Sequence, residues 1–325
     1  MARSDLVLSL IEAGVKGDQA RLRRTVEALI ADERAKQHNA LADRLDRVIS
    51  KQPEAAANVI ADQISSTDLF SAKTPERQLS ELVLPSPITK LVRQMIEEQH
   101  RSELLKAYNL KPRHRLIAVG PPGNGKTSLA EAIAYELMVP LITLSYEGII
   151  GSYLGQTAQR LGRLFSFVRQ RSCVLFIDEF DALGKERGDL HETGEIKRVV
   201  NSLLLQIDSL PSHVVLVAAS NHEELLDRAA WRRFEIKIDL PKPTVKQRIQ
   251  WLSRLKKSLK QSLGYDIEKL ARKLAGASFS DLEQFSLNIR RRYVLEQPQS
   301  SLRKIVNSEL STLRSRKGRS STSGQ

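Results

Sequence analysis

A Gly-rich run, Gly120-Pro121-Pro122-Gly123-Asn124-Gly125-Lys126-Thr127, constrains the fold of this chain more than any other feature. It follows the apolar run Leu116–Val119 and precedes a helical pattern that starts at Ser128, so the order is strand, loop, helix. Glycines let backbone N–H groups turn towards a phosphate, and the following helix adds its positive end. Lys126 can reach the β- and γ-phosphates of a nucleotide, and the Thr127 hydroxyl can ligate Mg²⁺. The sequence therefore predicts a phosphate-binding loop over Gly120 to Ser128.

A pair of carboxylates, Asp178 and Glu179, follows a second apolar run, Cys173–Ile177. Such a run is typical of a strand buried on both faces, and the carboxyl end of a parallel strand opens into a ligand crevice. We predict that Asp178 holds Mg²⁺ through water and that Glu179 orients and polarises the attacking water. An isolated Asp-Glu after a strand is usually a solvated turn, but its combination with the Gly-rich loop favours the catalytic interpretation.

Apolar runs and helical patterns alternate through the middle of the chain. This alternation predicts an α/β fold of the P-loop NTPase type, with a parallel five-stranded sheet between helices. The predicted strands are Leu116–Val119, Leu141–Leu144, Val174–Ile177, Val214–Ala219 and Ile236–Leu240. After Pro241, helical patterns over Val245–Leu259, Ile267–Ala275 and Ser280–Leu295 predict a C-terminal helical lid.

Five parts are predicted along the chain. They are a helical N-terminal domain (1–70), a linker (71–87), the large α/β nucleotide-binding subdomain (88–240), the helical lid (241–312) and a basic disordered tail (313–325). The N-terminal domain rests on apolar residues at helical spacing, and the tail rests on its Ser, Arg and Gly content.

Together the motifs resemble the AAA family of ATPases, over a stretch from Leu82 to Arg292. The resemblance is carried by the Gly-rich loop, by the run Asp178-Glu179-Phe180-Asp181-Ala182-Leu183, by Asn221 after a third strand, and by Arg232-Arg233-Phe234. It implies ATP and Mg²⁺ as ligands, ATP hydrolysis and assembly as a homo-hexamer. It also implies that Asn221 helps to position the hydrolytic water, and that Arg232 and Arg233 act across the subunit interface as arginine fingers.

Phosphoryl transfer independently requires positive charge near the γ-phosphate, and an arginine from a neighbouring subunit supplies it. Taken alone, Arg232 and Arg233 would be a basic pair on the surface. The run Ser278-Phe279-Ser280-Asp281-Leu282 resembles the start of the family's sensor-2 helix. No arginine occupies the usual sensor-2 place, which favours the AAA subgroup that lacks this arginine.

A candidate pore loop lies between the second and third predicted strands. In AAA rings that translocate proteins, an aromatic-aliphatic-Gly loop at this place lines the central pore, and Tyr153, Leu154 and Gly155 match that pattern. An exposed aromatic ring can grip an extended chain of almost any sequence, because the contact is apolar. The alternative is a tyrosine packed under the following helix. Gln156 departs from the family, since many relatives carry an acid there.

Composition restricts the setting of the protein. The one cysteine, Cys173, falls in a predicted buried strand, which excludes an internal disulfide and agrees with a reducing compartment. No apolar run approaches the ~18 residues of a membrane span, and the N-terminus lacks a signal pattern. We therefore expect a cytoplasmic protein without a membrane partner.

Positive charge is concentrated near the C-terminus. The 85 residues after Leu240 hold 19 Lys and Arg against 6 Asp and Glu, which accounts for the whole net charge of +13. A basic region attracts phosphate backbones or acidic protein faces, so weak nucleic-acid binding is one expectation. A solvated helical surface followed by a tail is the equally weighted alternative.

Three functions fit the sequence. The preferred hypothesis is an ATP-hydrolysing ring motor that unfolds, threads or remodels a protein substrate. A separate subtilisin-like serine protease is its candidate partner, because the layout resembles stand-alone bacterial AAA proteins paired with such an enzyme. The alternatives are a nucleic-acid-binding ATPase that uses the basic C-terminal part, and a nucleotide-switched assembly that regulates a partner. The substrate, the partner and the ring size do not follow from the sequence.

Overall fold

A computed structural model of the chain describes residues 6, 25–26, 28–32, 70–144, 154–182, 194–226, 228–297 and 301–320. The chain divides into two compact units. The first unit comprises residues 1–81, 86–118 and 127–238, and the second comprises residues 82–85, 119–126 and 239–325. The predicted N-terminal helical domain lies almost entirely outside the described residues, apart from helical positions at 6, 25–26 and 28–32.

A six-stranded sheet with the order β1-β3-β4-β5-β2-β6 runs through the described α/β core. Its strands are β1 (Phe70–Lys73), β2 (Arg115–Val119), β3 (Leu141–Leu144), β4 (Cys173–Ile177), β5 (Val214–Ser220) and β6 (Ile236–Asp239). Strands β3 and β4, and likewise β4 and β5, pair in parallel. Every residue of β4 and β5 is buried, as expected for central strands covered on both faces, whereas β1 and β6 alternate because they form the two edges.

Helices connect these strands. They are α1 (Ser86–His100), α2 (Ser102–Ala107), α3 (Lys126–Leu137), α4 (Leu154–Val168), α5 (Gly194–Asp208) and the single turn α6 (Arg228–Trp231). Short 3-10 turns span Leu79–Glu81 and Glu223–Leu225. The helical faces supply Met95, Leu129, Ile133 and Phe165 to the core around the sheet.

The predicted α/β fold is confirmed, and each of the five predicted strands is present to within one residue at either end. The sixth strand, β1, was not predicted. It lies at residues assigned to the end of the N-terminal domain and to the linker, and it pairs antiparallel with β3, Phe70 opposite Leu144. Its sequence, Phe-Ser-Ala-Lys, is too short and too polar to show a strand pattern, so the pairing with β3 decides its conformation.

The second unit contains four helices among its described residues: α7 (Val245–Leu259), α8 (Ile267–Lys273), α9 (Phe279–Leu295) and α10 (Leu302–Ser320). Side chains of Thr244 and Gln247 form a capping box at the start of α7, and Ser278 and Asp281 form one at the start of α9. The shared core includes Leu252, Leu270, Leu282, Phe285, Ile289, Ile305, Val306 and Leu310.

The helix α10 differs from the sequence prediction, which placed a disordered tail from residue 313. The helix continues to Ser320, so the prediction of disorder is wrong over residues 313–320. Leu302, Ile305, Val306 and Leu310 recur at helical spacing and are buried against the lid core, which anchors the first part of the helix. The basic composition of residues 313–325 concealed the continuation of the helix into them.

Candidate active site

The Gly-rich loop leaves β2 at its carboxyl end and enters α3 at Lys126. Gly120, Gly123 and Gly125 have φ values of 139°, 76° and 88°, which residues with a side chain rarely adopt. The loop backbone therefore needs glycine at the predicted positions. Lys126 is buried, and its Nζ donates hydrogen bonds to the carbonyl oxygens of Gly120 (2.6 Å) and Pro121 (3.2 Å). The ammonium is thus held over its own loop, as binding of a phosphate chain requires.

Asn124 links this loop to the start of α9 within the second unit. Its side chain is 2% exposed, donates from Nδ2 to the carbonyl oxygen of Pro121 (3.2 Å) and accepts from the N–H of Phe279 (3.4 Å). The N–H of Ser280 also donates to the carbonyl oxygen of Gly123 (2.9 Å). Residues resembling the sensor-2 region therefore contact the loop through backbone groups. The sequence placed Asn124 in the loop but carried no signal for this bridging role.

The carboxylates follow β4, whose five residues are all buried. Asp178 is half-buried, and its Oδ1 accepts the N–H of Glu179 at 2.9 Å. Glu179 is exposed and has a φ of 51°, in the left-handed region. For a residue with a side chain this conformation costs free energy, and such strain clusters at functional sites. The Glu179 carboxylate is accessible to a water molecule, because the residue is exposed.

The backbone of Asn221 is held by a residue of the run that begins at Asp178. The buried Asp181 accepts the backbone N–H of Asn221 at 3.1 Å through its Oδ1. Because β4 and β5 are adjacent parallel strands, this bond ties the segment after β5 to the segment that carries Asp178 and Glu179. The tie depends on a contact across 40 residues of sequence, so the sequence could not predict it.

The arginine pair follows the single turn α6. Phe234 is buried and packs edge-on against Phe180, with ring centroids 5.4 Å apart and an interplanar angle of 87°. This aromatic contact fixes the segment that carries Arg232 and Arg233 relative to the run that begins at Asp178.

The two arginines differ in their surroundings. The Nε of Arg233 lies 3.0 Å from Oδ1 of Asp208 and 3.1 Å from its Oδ2, so the guanidinium is engaged within the chain. Arg232 is exposed, and no residue in the described ranges pairs with its guanidinium. The sequence treated the two arginines as equivalent, and the partner Asp208 was missed because no motif includes it.

A polar network around the buried His114 lies beside this pair in the first unit. Oε2 of Glu235 accepts the backbone N–H groups of His114 (2.8 Å) and Arg115 (3.1 Å). Burial holds the pKa of the His114 ring below its ordinary value, which outweighs the opposite effect of the nearby Glu235 carboxylate. His114 is therefore a neutral core residue at neutral pH.

The predicted pore residues are only partly within the described ranges. Tyr153 lies outside them. Leu154 and Gly155 form the first turn of α4. Their roles remain predictions.

Oxygen ligands for Mg²⁺ are available at the predicted positions. Thr127 is exposed in the first turn of α3, and Asp178 offers a half-exposed carboxylate. Hydroxyl, carboxylate and phosphate oxygens are the ligands that Mg²⁺ prefers, so this donor set fits the ion. Among the described residues, no cluster of three His, Cys, Asp or Glu side chains forms any other metal site.

Comparisons with known proteins identify the family of this chain. The profile of the ATPase family associated with various cellular activities (AAA) matches residues 116–242. An uncharacterised AAA family ATPase of Sinorhizobium fredii is 33% identical over 291 residues, which cover 87% of each chain. The chain belongs to the AAA family of ATPases; it binds ATP and hydrolyses it.

Two relatives with longer chains are also similar to part of this chain. A cell division cycle protein 48 homolog of Archaeoglobus fulgidus is 33% identical over 56% of this chain and 25% of its own length. An ATP-dependent zinc metalloprotease FtsH of a Synechococcus strain is 33% identical over 58% of this chain and 31% of its own length. The chain therefore spans about a quarter to a third of these two relatives. None of the described helices is long and apolar enough to cross a membrane.

Proposed function

We propose that the protein is a ring-forming, ATP-driven motor that unfolds, threads or remodels a protein substrate in the cytoplasm, with a homo-hexamer as the working assembly. The observation that carries the proposal is the exposed guanidinium of Arg232, which has no partner in the described ranges although Phe234, two residues later, is anchored on Phe180. A cation fixed beside the catalytic run and directed to solvent is suited to an ATP site on a neighbouring subunit.

Each residue of the site has a separate task in hydrolysis. The loop N–H groups and Lys126 hold the phosphate chain, while Glu179 polarises a water that Asn221 helps to position. The water attacks the γ-phosphorus, the bond to the β–γ bridging oxygen breaks, and ADP and phosphate result. Thr127 and Asp178 would hold Mg²⁺, which would supply positive charge to offset that of the phosphate oxygens.

Arg232 is the better candidate for the arginine finger. Arg233 would first have to leave Asp208, whereas Arg232 is free of such a contact in the described structure. We assign Arg232 to the γ-phosphate of the neighbouring subunit. Arg233 orients the segment through Asp208 and reaches the interface only if that ion pair opens.

Named relatives support the choice of a protein substrate. They include the protein 48 homolog, the FtsH metalloprotease and a putative 26S proteasome regulatory subunit homolog of Methanothermobacter marburgensis. Tyr153, Leu154 and Gly155 supply the apolar grip that such a substrate needs. The sequence has no His-Glu-x-x-His run, so we propose that any proteolysis depends on a separate protein, with a subtilisin-like serine protease as the candidate.

Subunit mixing tests the ring and the finger together. Glu179→Gln should bind ATP and lose turnover, and Arg232→Ala should lose turnover by about 10³-fold or more, as arginine fingers do. Mixing these two inactive variants should restore part of the activity, because some interfaces then pair an intact finger with an intact carboxylate. The control is Arg228→Ala, which removes another exposed arginine four residues earlier and should leave turnover unchanged. Absence of recovery in co-assembled mixtures would contradict action between subunits.

Substrate work is tested by Tyr153→Ala. This variant should retain ATP hydrolysis and lose unfolding of a tagged model substrate, whereas Tyr153→Phe should retain both, because the ring face makes the contact. Normal unfolding by Tyr153→Ala would favour the switch hypothesis over threading.

Nucleic-acid binding is the second candidate, and the exposed lysines at the end of α7 favour it. Lys256, Lys257 and Lys260 are exposed on the lid. We propose weak, non-specific binding whose affinity falls with salt. On duplex DNA the logarithm of the binding constant should fall with the logarithm of the salt concentration, with a slope of about −0.9 per contacted phosphate. Replacing the three lysines by glutamate should flatten that slope. Tight, sequence-selective binding at physiological salt would make this the primary function.

A further inference from the structure

The segment from Phe70 to Glu81, here called the strap, lies along the helix that follows the phosphate-binding loop. Besides pairing β1 with β3, it makes five hydrogen bonds to α3. They join Lys73 Nζ to Glu131 (2.8 Å), the N–H of Glu76 to Glu131 (3.3 Å), Arg77 to Ser128 Oγ (2.8 Å), Gln78 to Tyr135 Oη (3.2 Å) and the N–H of Leu79 to Glu136 (3.2 Å). Pro75 and Leu79 of the strap are buried. The strap is therefore built onto α3 over most of its length.

Arg77 is the strap residue nearest the start of α3. Ser128, its acceptor, is the third residue of the helix. Because the first four N–H groups of a helix have no acceptor within it, the first turn is where phosphate oxygens bind. The half-buried Arg77 thus places its guanidinium within one hydrogen bond of a residue in that turn.

The sign of the charge is informative. A cation beside the positive end of a helix is unfavourable, by about 0.3–1 kcal/mol in exposed cases. Glu131, one turn further along, offsets part of this cost, since it also interacts with Arg77. An anion bound at the first turn of α3 attracts the Arg77 guanidinium, and this attraction opposes the remaining repulsion between the guanidinium and the helix end. Lys73 does not place its charge at the helix end, because it contacts α3 at Glu131, beyond the first turn.

We propose that Arg77 is a positioning residue of the ATP site: it adds positive charge beside the first turn of α3 and holds that turn in place for the nucleotide phosphates. The residue lies upstream of the family match at residues 116–242.

Four full-length proteins test the proposal: wild type, Arg77→Ala, Arg77→Lys and Lys73→Ala. ATP and ADP dissociation constants are measured by calorimetry at two salt concentrations, together with kcat, KM and the melting temperature. Arg77→Ala should raise Kd and KM for ATP by about 10–150-fold, the equivalent of a hydrogen bond from a charged group, while kcat at saturation changes less than about threefold. Its Kd should also depend less on salt than that of wild type, because one cation is missing.

Lys73→Ala is the matched control, since it also removes one strap cation bonded to α3. It should lower the melting temperature slightly and leave Kd within about twofold of wild type. Arg77→Lys keeps the charge and should recover part of the affinity, and it provides the test if Arg77→Ala does not fold. Equal changes of Kd in Arg77→Ala and Lys73→Ala would overturn the proposal and assign the strap a purely structural role. Unchanged Kd in Arg77→Ala, or a loss in Arg77→Lys as large as in Arg77→Ala, would overturn it as well.

Discussion

Replacing Gly120 by alanine perturbs the point where β2 passes into the phosphate-binding loop. Gly120 has a φ of 139°, and a Cβ added there would lie 2.3 Å from the carbonyl oxygen of Leu240 and 2.9 Å from its carbonyl carbon. The N–H of Leu240 donates to the carbonyl oxygen of Val119 at 2.8 Å, so the two backbones are held close. Because the obstructing atoms are backbone atoms, no side-chain rotation can relieve the overlap.

The expected cost has two parts. A residue with a side chain in a sparsely populated backbone region costs about 1–3 kcal/mol. Moving the Leu240 backbone away breaks a buried hydrogen bond, which costs about 1–3 kcal/mol more. Gly120→Ala should therefore lower the free energy of unfolding by about 2–6 kcal/mol. Urea titration without nucleotide measures this change directly.

Two other glycines separate the contributions. Gly125 has a φ of 88°, and an added Cβ would have no neighbour within 4 Å, so Gly125→Ala should show backbone strain alone, about 1–3 kcal/mol. Gly162 lies within α4 with the same open space, and its replacement by alanine should stabilise the helix by about 0.5–1 kcal/mol. If Gly120→Ala were no more destabilising than Gly125→Ala, the close approach of the Leu240 backbone would make no contribution to the cost.

Three further changes test buried groups. Burial holds the pKa of His114 below its ordinary 6.5, although the carboxylate of Glu235 lies 3.7 Å away. The His114 ring therefore binds a proton more readily in the unfolded chain than in the folded protein. The free energy of unfolding should therefore fall as the pH drops through 6.5. Urea titrations at pH 7.5 and 5.5 should show a smaller difference for His114→Leu than for wild type. An equal difference in both proteins would refute this role of His114. Burial raises the pKa of the Cys173 thiol to about 12, so a maleimide should label the folded protein about 10³-fold more slowly than the urea-unfolded chain, and comparable rates would contradict this. Arg248 is buried and donates hydrogen bonds to the carbonyl oxygens of Ala271, at 2.8 Å, and Pro243. Arg248→Met should therefore destabilise the lid by about 2–4 kcal/mol in thermal unfolding. An unchanged unfolding transition would disprove this role of Arg248.

Runs of consecutive residues made the central strands and the phosphate-binding loop predictable. A strand buried on both faces must be apolar at every position, as β4 and β5 are, and no partner has to be known to recognise it. The loop was equally readable, because Gly120, Gly123 and Gly125 stand where the backbone has positive φ. The same locality explains the failures, since the edge strand β1 is strand-like only through β3, and the basic composition after Leu313 concealed the continuing α10.

By itself the sequence determined which residues could do the chemistry: Lys126, Thr127, Asp178, Glu179 and the arginine pair. Only the tertiary structure decided how they are held. It placed Asp208 against Arg233 and Phe180 against Phe234, which leaves Arg232 as the exposed cation. It also brought Arg77 to Ser128, across 51 residues of chain. The reason is physical: backbone conformation and burial pattern are encoded in neighbouring residues, whereas contacts between distant residues exist only after the sheet and helices have packed.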